Sequence, residues 1–285
     1  MNTVTYSGTP ALYTEGEGGF TSTWSEHTWN GRLGGFYGND VWTDGENMYY
    51  NGQYVLDKVT STWLTKTWTG IRNTFWGQYV WTDGENVYYS SSADQYVLNK
   101  ATSTWLDKTW NGFSNLNGGE IWTDGETFYY SAHLDQYVLD KATSTWSEKT
   151  WNGLPSSMEG IPGEYIWTDG EDVYCSIDSS HQYVLNKATS TWLPKTWNGL
   201  TEFYGAGIWT DGENMYFSSS TSHYVLNKAT ATWLPKTWSG LSSFQGKDVW
   251  TDGDSIYYDG HVGGMLGHYI LNKSTPPSFL IYYNP

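Results

Sequence analysis

The sequence predicts an all-β fold, a six-bladed β-propeller, because three short strings each recur six times at intervals of about 40 residues. The string Trp-Thr-Asp-Gly begins at Trp42, Trp81, Trp122, Trp167, Trp209 and Trp250. The string Thr-Trp-x-x-x-Thr-Trp begins at Thr23, Thr62, Thr104, Thr145, Thr191 and Thr232. The string Tyr-(Val/Ile)-Leu-(Asn/Asp)-Lys begins at Tyr54, Tyr96, Tyr137, Tyr183, Tyr224 and Tyr269.

Each repeat divides into four short strands, named a to d in chain order. In the fourth repeat we predict strand a at 165–168, strand b at 173–175, strand c at 182–185 and strand d at 191–197. The Asp-Gly pair between strands a and b, set between β-forming residues, is a strong hairpin signal. No segment keeps a 3.6-residue period, so we expect blades of four antiparallel strands.

The two ends of the chain predict how the ring closes. We place the blades at 36–68, 75–110, 116–151, 161–197, 203–238 and 244–273, within a single propeller domain that covers residues 1–285. The last blade lacks its own strand d, and the segment 21–29 carries an unpaired copy of the strand-d string. We therefore expect 21–29 to complete the last blade, with 278–283 as the rival strand, and we treat 1–20 and 274–285 as extensions.

Composition limits the classes of partner. The net charge of −16 argues against nucleic acid and anionic membranes, which require clustered positive charge. No apolar run reaches the length of a membrane helix. The single cysteine, Cys175, rules out a disulfide framework and a cysteine-rich zinc site, and we predict no metal or cofactor. The N-terminal residues lack the features of a secretory signal, which favours a virion or cytoplasmic location.

The turn between strands c and d carries a family resemblance. The segment 184–192, Val-Leu-Asn-Lys-Ala-Thr-Ser-Thr-Trp, resembles the kelch motif, in which a strand-c aromatic stands seven residues before a Trp; here Leu185 takes the place of the aromatic. The hairpin 167–174 resembles the kelch a–b hairpin, but Tyr or Phe pairs stand where kelch repeats usually have two glycines. The WD40 markers do not recur. The chain also resembles, in style, propeller modules of tailed-phage virions.

Most of the conspicuous residues are explained by the scaffold. Eighteen of the 19 Trp occupy repeat positions, where we expect them to pack between blades; Trp76 falls outside them. The acidic Asp-Gly turns are explained by turn geometry rather than by calcium. Five of the six His lie in connections between strands b and c, where we expect them to be solvated.

The connections that vary between repeats predict the ligand face. In an up-and-down blade the d–a and b–c connections emerge on one face, and these are the variable ones. An apolar residue six before each strand-a Trp and a Gly four before it suggest an anchor and a backbone bend. Between them the residue varies without an evident structural reason, which predicts aromatic stacking and amide hydrogen bonds to a sugar at Tyr37, Trp76, Asn117, Tyr204 and Gln245; Pro162 holds the sixth position.

These features favour a non-enzymatic recognition or assembly module. Its partner would be a protein or a glycan on the d–a/b–c loop face, with further assembly contacts through the two extensions. The alternatives are an intracellular kelch-type adaptor and a carbohydrate-active enzyme. Two Arg are too few for a sialidase, Cys175 fills a strand-b position rather than a copper site, and the acids of the variable face form no recognisable catalytic set.

Overall fold

The computed structural model describes residues 20–31, 36–71, 75–91, 94–113, 115–132, 135–154, 163–178, 181–200, 203–241, 243–262 and 265–273. Within these residues the regular secondary structure consists of β-strands and eight short 3₁₀ helices. None of the helices in this described part is long or apolar enough to cross a membrane.

Six four-stranded antiparallel sheets form the blades of a propeller, which confirms the predicted fold class. Strand β1 is Phe20–Glu26. Blades 1 to 3 contain β2 Val41–Thr43, β3 Met48–Tyr50, β4 Tyr54–Asp57 and β5 Thr62–Thr65; β6 Val80–Thr82, β7 Val87–Ser91, β8 Asp94–Asn99 and β9 Thr104–Asp107; β10 Ile121–Thr123, β11 Phe128–Ala132, β12 Asp135–Asp140 and β13 Thr145–Glu148. Blades 4 to 6 contain β14 Ile166–Thr168, β15 Val173–Asp178, β16 His181–Asn186 and β17 Thr191–Pro194; β18 Ile208–Thr210, β19 Met215–Ser218, β20 His223–Asn227 and β21 Thr232–Pro235; β22 Val249–Thr251, β23 Ile256–Val262 and β24 Met265–Lys273.

A single 3₁₀ turn leads into the first strand of every blade. These six segments, called the inner turns, are Gly38–Asp40, Gly77–Tyr79, Gly118–Glu120, Gly163–Tyr165, Gly205–Gly207 and Gly246–Asp248. Each inner turn contacts the next one around the ring, and the sixth contacts the first, so together they surround the propeller axis. The two remaining 3₁₀ helices, Lys187–Thr189 and Lys228–Thr230, form the c–d turns of blades 4 and 5.

The N-terminal strand closes the ring, as the sequence predicts. Strand β1 pairs with β24 as the fourth strand of blade 6, with Trp24 opposite Leu271 and Glu26 opposite Tyr269. The rival segment 278–283 lies outside the described residues. Parallel bridges then join each blade to the next in an unbroken cycle: Asn30–Thr62, Thr69–Thr104, Asn111–Thr145, Asn152–Thr191, Asn198–Thr232 and Ser239–Thr23.

Tryptophans fill the wedges between neighbouring blades, which confirms the structural interpretation of the repeat positions. The rings of Trp42 and Trp68 in blade 1 and Trp105 in blade 2 lie with centroids 5.8–5.9 Å apart in each pair. The predicted strand d, 191–197 in the fourth repeat, was too long: β17 ends at Pro194, before the second Trp of the repeat, so the strand itself does not hold that ring. The bridge to the next blade, which follows the second Trp immediately, holds it in place instead.

The glycine that begins each inner turn is required by close approach, not by the backbone bend that the sequence suggests. A Cβ on Gly77 or Gly118 would lie less than 3.0 Å from the backbone carbonyl of the preceding blade, at Asp40 and Tyr79 respectively. The same holds for the other four inner turns. Neighbouring blades therefore touch through bare backbone at the axis, and no larger residue fits without moving two blades apart.

The a–b turns are self-contained. In the first, Gly45 has φ of 92°, and the Asp44 carboxylate accepts hydrogen bonds from the amides of Glu46 and Asn47 and from the Tyr49 hydroxyl. Lys100 of blade 2 donates to the Asp44 backbone carbonyl, which ties the turn to the next blade. Turn geometry and blade contacts thus account for the repeated Asp and for the Lys that ends strand c.

Replacing a glycine at the start of an inner turn tests the backbone contact between blades. We expect Gly118→Ala to lower the free energy of unfolding by about 1–3 kcal/mol, because the new methyl overlaps the Tyr79 carbonyl. Its neighbour provides the control: a Cβ on Gly119 meets its nearest atoms at 3.4 and 3.5 Å, an ordinary contact. We expect Gly119→Ala to change stability by less than about 0.5 kcal/mol in the same denaturant titration. Equal effects of the two substitutions would contradict the account.

Candidate functional site

A cavity of about 340 Å³ opens on the variable loop face beside the axis, where blades 6, 1 and 2 meet. The inner turns of these three blades and the residues just before them form most of its wall, and strand β23 supplies the rest. The lining residues are Tyr37, Asn39, Asp40, Trp76, Gln78, Gln245, Lys247, Asp248, Tyr258 and His261.

Three of the five residues predicted from the sequence, Tyr37, Trp76 and Gln245, line this one cavity. Each stands immediately before an inner turn in extended conformation, and its carbonyl accepts a hydrogen bond of 3.0–3.1 Å from the amide of the third residue of that turn. These hydrogen bonds fix the backbone at the three positions, and the side chains of Tyr37, Trp76 and Gln245 line the cavity. Trp76 is 57% exposed, and no other Trp among the described residues is classed as exposed.

The other two predicted residues lie elsewhere on the ring. The Asn117 side chain accepts a hydrogen bond of 3.1 Å from the amide of Gly119, so it caps its own inner turn. Tyr204 is 55% exposed and stands beside Tyr165, with ring centroids 6.0 Å apart, outside the set that lines the cavity. The sixth position, Pro162, lies outside the described residues.

Sequence reasoning missed the acidic side of the cavity. Asp40 and Asp248 occupy the same place, the last residue of the inner turn, in the adjacent blades 1 and 6. They are 8% and 6% exposed. The available signal was their shared position, two residues before the strand-a Trp, combined with the closure that makes the first and last blades neighbours. The sequence interpretation treated them as separate acids.

The carboxylate of Asp248 differs from the other buried aspartates. Asp44, 7% exposed, accepts three hydrogen bonds, and Asp259, fully buried, accepts from the indoles of Trp29 and Trp250 and is joined to His268 at 2.6 Å. None of the described residues donates a hydrogen bond to the Asp248 side chain. A carboxylate that lines a cavity and accepts no hydrogen bond from the protein is available to a ligand, and acids in such surroundings are candidates for functional sites.

The electrostatic consequence is a change in acidity. Burial raises the pKa of Asp248 from its ordinary value of 3.8 to about 6, although the charges of Lys247 and His261 act in the opposite direction. Burial and the charge of Asp248 also raise the pKa of the Tyr258 phenol, which therefore stays protonated. Above pH 6 the cavity wall therefore carries an ionised carboxylate that accepts no hydrogen bond from the described residues.

Strand β23 brings His261 to the cavity because the β23–β24 hairpin is longer than the corresponding hairpins of the other blades. The His261 ring lies 5.5 Å from the ring of Tyr37, and its carbonyl accepts a 3.0 Å hydrogen bond from the Tyr258 hydroxyl. His261 is exposed, as expected for a histidine between strands b and c. The same expectation was wrong for two other histidines of these connections. His223 is buried and stacks on Phe244 at 4.5 Å, and His268 pairs with Asp259.

No group of three or more His, Cys, Asp or Glu suited to a metal ion occurs within the described part of the chain. The Cys175 thiol is fully buried, and its burial raises its pKa. The prediction that this cysteine fills a packing position agrees with its contacts in the core between blades 3 and 4.

No protein-family model and no curated protein sequence matches the chain. Among solved structures, the chain is similar to the extracellular domain of a protein assigned to the hybrid two-component systems of B. thetaiotaomicron, with TM-score 0.51, 10% identity and 90% of this chain covered. A second such domain from that organism has TM-score 0.46, 15% identity and 84% coverage. PorZ, a surface component of the type-IX secretion system of Porphyromonas gingivalis, has TM-score 0.44, 13% identity and 84% coverage.

The chain spans 41%, 34% and 32% of the lengths of these three structures. At these identities the similarity shows the propeller fold alone. The kelch resemblance stays a resemblance in the c–d turn and the a–b hairpin, without a matching family model.

Asp248 and Asp44 are about equally buried, but only Asp44 accepts hydrogen bonds at its carboxylate from described residues, so substitutions at the two positions can be compared. We expect Asp248→Asn to raise the free energy of unfolding by about 3 kcal/mol above pH 7. The substitution removes the free-energy cost of ionising a carboxyl group whose pKa in the folded protein is about 6 instead of 3.8. The gain shrinks as the pH falls from 6 towards 4 and vanishes below about pH 4, where the unfolded wild type is protonated as well as the folded one.

Asp44→Asn is the matched control for this measurement. It removes charged acceptors of three hydrogen bonds, so we expect a loss of about 1–3 kcal/mol at the same neutral pH. Urea titrations of the two variants at pH 8 and pH 4 give the comparison. A destabilised Asp248→Asn at pH 8 would contradict the assignment.

Proposed function

We propose that this chain is a non-enzymatic recognition module that binds a sugar residue of a glycan in the cavity at blades 6, 1 and 2. The observation that carries the proposal is the composition of the cavity wall: the exposed ring of Trp76 and the half-buried ring of Tyr37 stand next to amide and carboxylate groups on the loop face that varies between blades. Packing between blades explains the eighteen Trp at repeat positions, but it does not explain Trp76, which is exposed on the loop face.

The size and chemistry of the cavity suit one sugar residue with its neighbours extending along the loop face. Small-molecule sites have volumes of about 300–1,000 Å³ and combine apolar walls with a few placed polar groups. Trp76 and Tyr37 offer ring faces for the C–H side of a pyranose. The amides of Asn39, Gln78 and Gln245 offer donors and acceptors for its hydroxyl groups.

A protein partner is the second candidate, and the tip of the long hairpin in blade 6 favours it. Met265 is 76% exposed and Leu266 is 37% exposed, at the end of β24 that pairs with Val262 and His261 of β23. Exposed apolar residues beside a cavity are typical of protein contacts. A variant with Ser at both positions separates the candidates, because it removes protein binding and leaves sugar binding intact.

The glycan proposal is tested by a glycan array with the intact protein and two variants at equivalent positions. Trp76 and Tyr204 stand at the same place in blades 2 and 5 and are about equally exposed, but only Trp76 lines the cavity. We expect Trp76→Ala to weaken binding about tenfold or more, because a stacking contact is lost, and Tyr204→Ala to bind like the parent.

Three outcomes of this array are informative. Binding by the parent that is lost only in Trp76→Ala supports the cavity. No binding by the parent would overturn the glycan proposal, and equal losses in the two variants would move the site away from the cavity. Release of shortened oligosaccharide from a bound ligand would contradict the non-enzymatic part of the proposal.

A further inference from the structure

The cavity contains a charged group for which the protein itself supplies no hydrogen-bond donor. Asp248 is 6% exposed, lines the cavity, and receives no hydrogen bond from any described residue. Lys247 lines the same cavity, yet within the described part of the chain it makes no ion pair with Asp248. A ligand group that donates to this carboxylate would make a charge-assisted hydrogen bond that no described residue makes.

The surroundings of Asp248 favour a donor with positive charge. Asp40, the equivalent acid of the adjacent inner turn, lines the cavity too, so the wall carries two aspartates beside Lys247 and His261. The ring faces of Trp76 and Tyr37 attract cations through their quadrupoles. The net charge of −16 adds a long-range field of the same sign.

We infer that the ligand carries a protonated amino group that binds Asp248, and that the sugar of the proposed function is an amino sugar with a free amine. This inference rests on the proposed function and narrows it. The ammonium group donates to the Asp248 carboxylate, while the pyranose ring stacks on Trp76 beside Tyr37. An acetylated or hydroxyl-bearing analogue keeps the stacking contact and loses the charge interaction.

Three tetrasaccharides that differ at one substituent test the inference by calorimetry. They are the β-1,4-linked tetramers of glucosamine, N-acetylglucosamine and glucose, each titrated into the intact protein at about pH 7, where Asp248 is ionised. We expect the glucosamine tetramer to bind about 30-fold more tightly than the glucose tetramer, as for other buried charge pairs. We expect Asp248→Asn to reduce that difference in affinity to less than about threefold.

Two further variants test whether the glucosamine tetramer binds only because the protein carries a net negative charge. Glu126 lies exposed on the a–b turn of blade 3, on the opposite face, so Glu126→Gln should leave all three affinities unchanged. Lys247→Gln removes the opposing charge beside Asp248 and should raise the affinity for the glucosamine tetramer about threefold relative to the affinity for the glucose tetramer.

The outcomes separate this inference from the proposed function. Equal affinity for the three tetramers, each weakened by Trp76→Ala, would overturn the inference and leave the sugar proposal standing. Glucosamine binding that persists in Asp248→Asn, or that Glu126→Gln weakens equally, would also overturn it. Absence of binding by any tetramer, with a parental melting temperature in every variant, would count against both.

Discussion

The contact between the backbones of neighbouring blades is the constraint on which the rest of this propeller depends. Near the axis the glycine of each inner turn lies against a carbonyl of the preceding blade, and near the rim parallel bridges join each blade to the next. Trp rings fill the wedge between these two lines of contact. The result is a ring in which six blade positions are nearly equivalent, so that any cavity must come from local differences in side chains and loop lengths.

Those differences concentrate where the chain ends meet. Blade 6 takes its outer strand from the N-terminal segment, and its β23–β24 hairpin is the longest among the described residues. There Asp259 replaces the Ser that accepts the strand-a indole N–H in blades 2 to 5, and it also accepts a hydrogen bond from Trp29, which follows the closing strand β1. One boundary thus combines ring closure, an extended hairpin and the cavity. Asp248 is the member of this group whose interactions within the protein do not explain its burial.

The features common to all six repeats could be predicted from the sequence, because six copies allow scaffold residues to be separated from variable ones within one chain. Blade number, strand order, closure by the N-terminal strand and the exceptional status of Trp76 all came from that comparison. It did not show that His223 is buried, because its burial depends on stacking against Phe244 of the next blade. Nor did it show that Asn117 caps its own inner turn, although that hydrogen bond from the Gly119 amide is local. Asp40 and Asp248 lie 208 residues apart by number and meet only because the ring closes. Nor did it reveal that strand d ends before its second Trp, since a blade contact rather than the strand pattern holds that ring.

A direct measurement of the Asp248 carboxylate tests the central claim, that this cavity holds a charge kept for a ligand. A carbon-detected NMR titration of the aspartate side chains, with the Asp248 resonance identified by its loss in Asp248→Asn, gives its pKa in the free and the ligand-bound protein. The account predicts a pKa near 6 in the free protein that falls when the glucosamine tetramer binds. An ordinary pKa in the free protein, or no change on addition of saturating ligand, would contradict it.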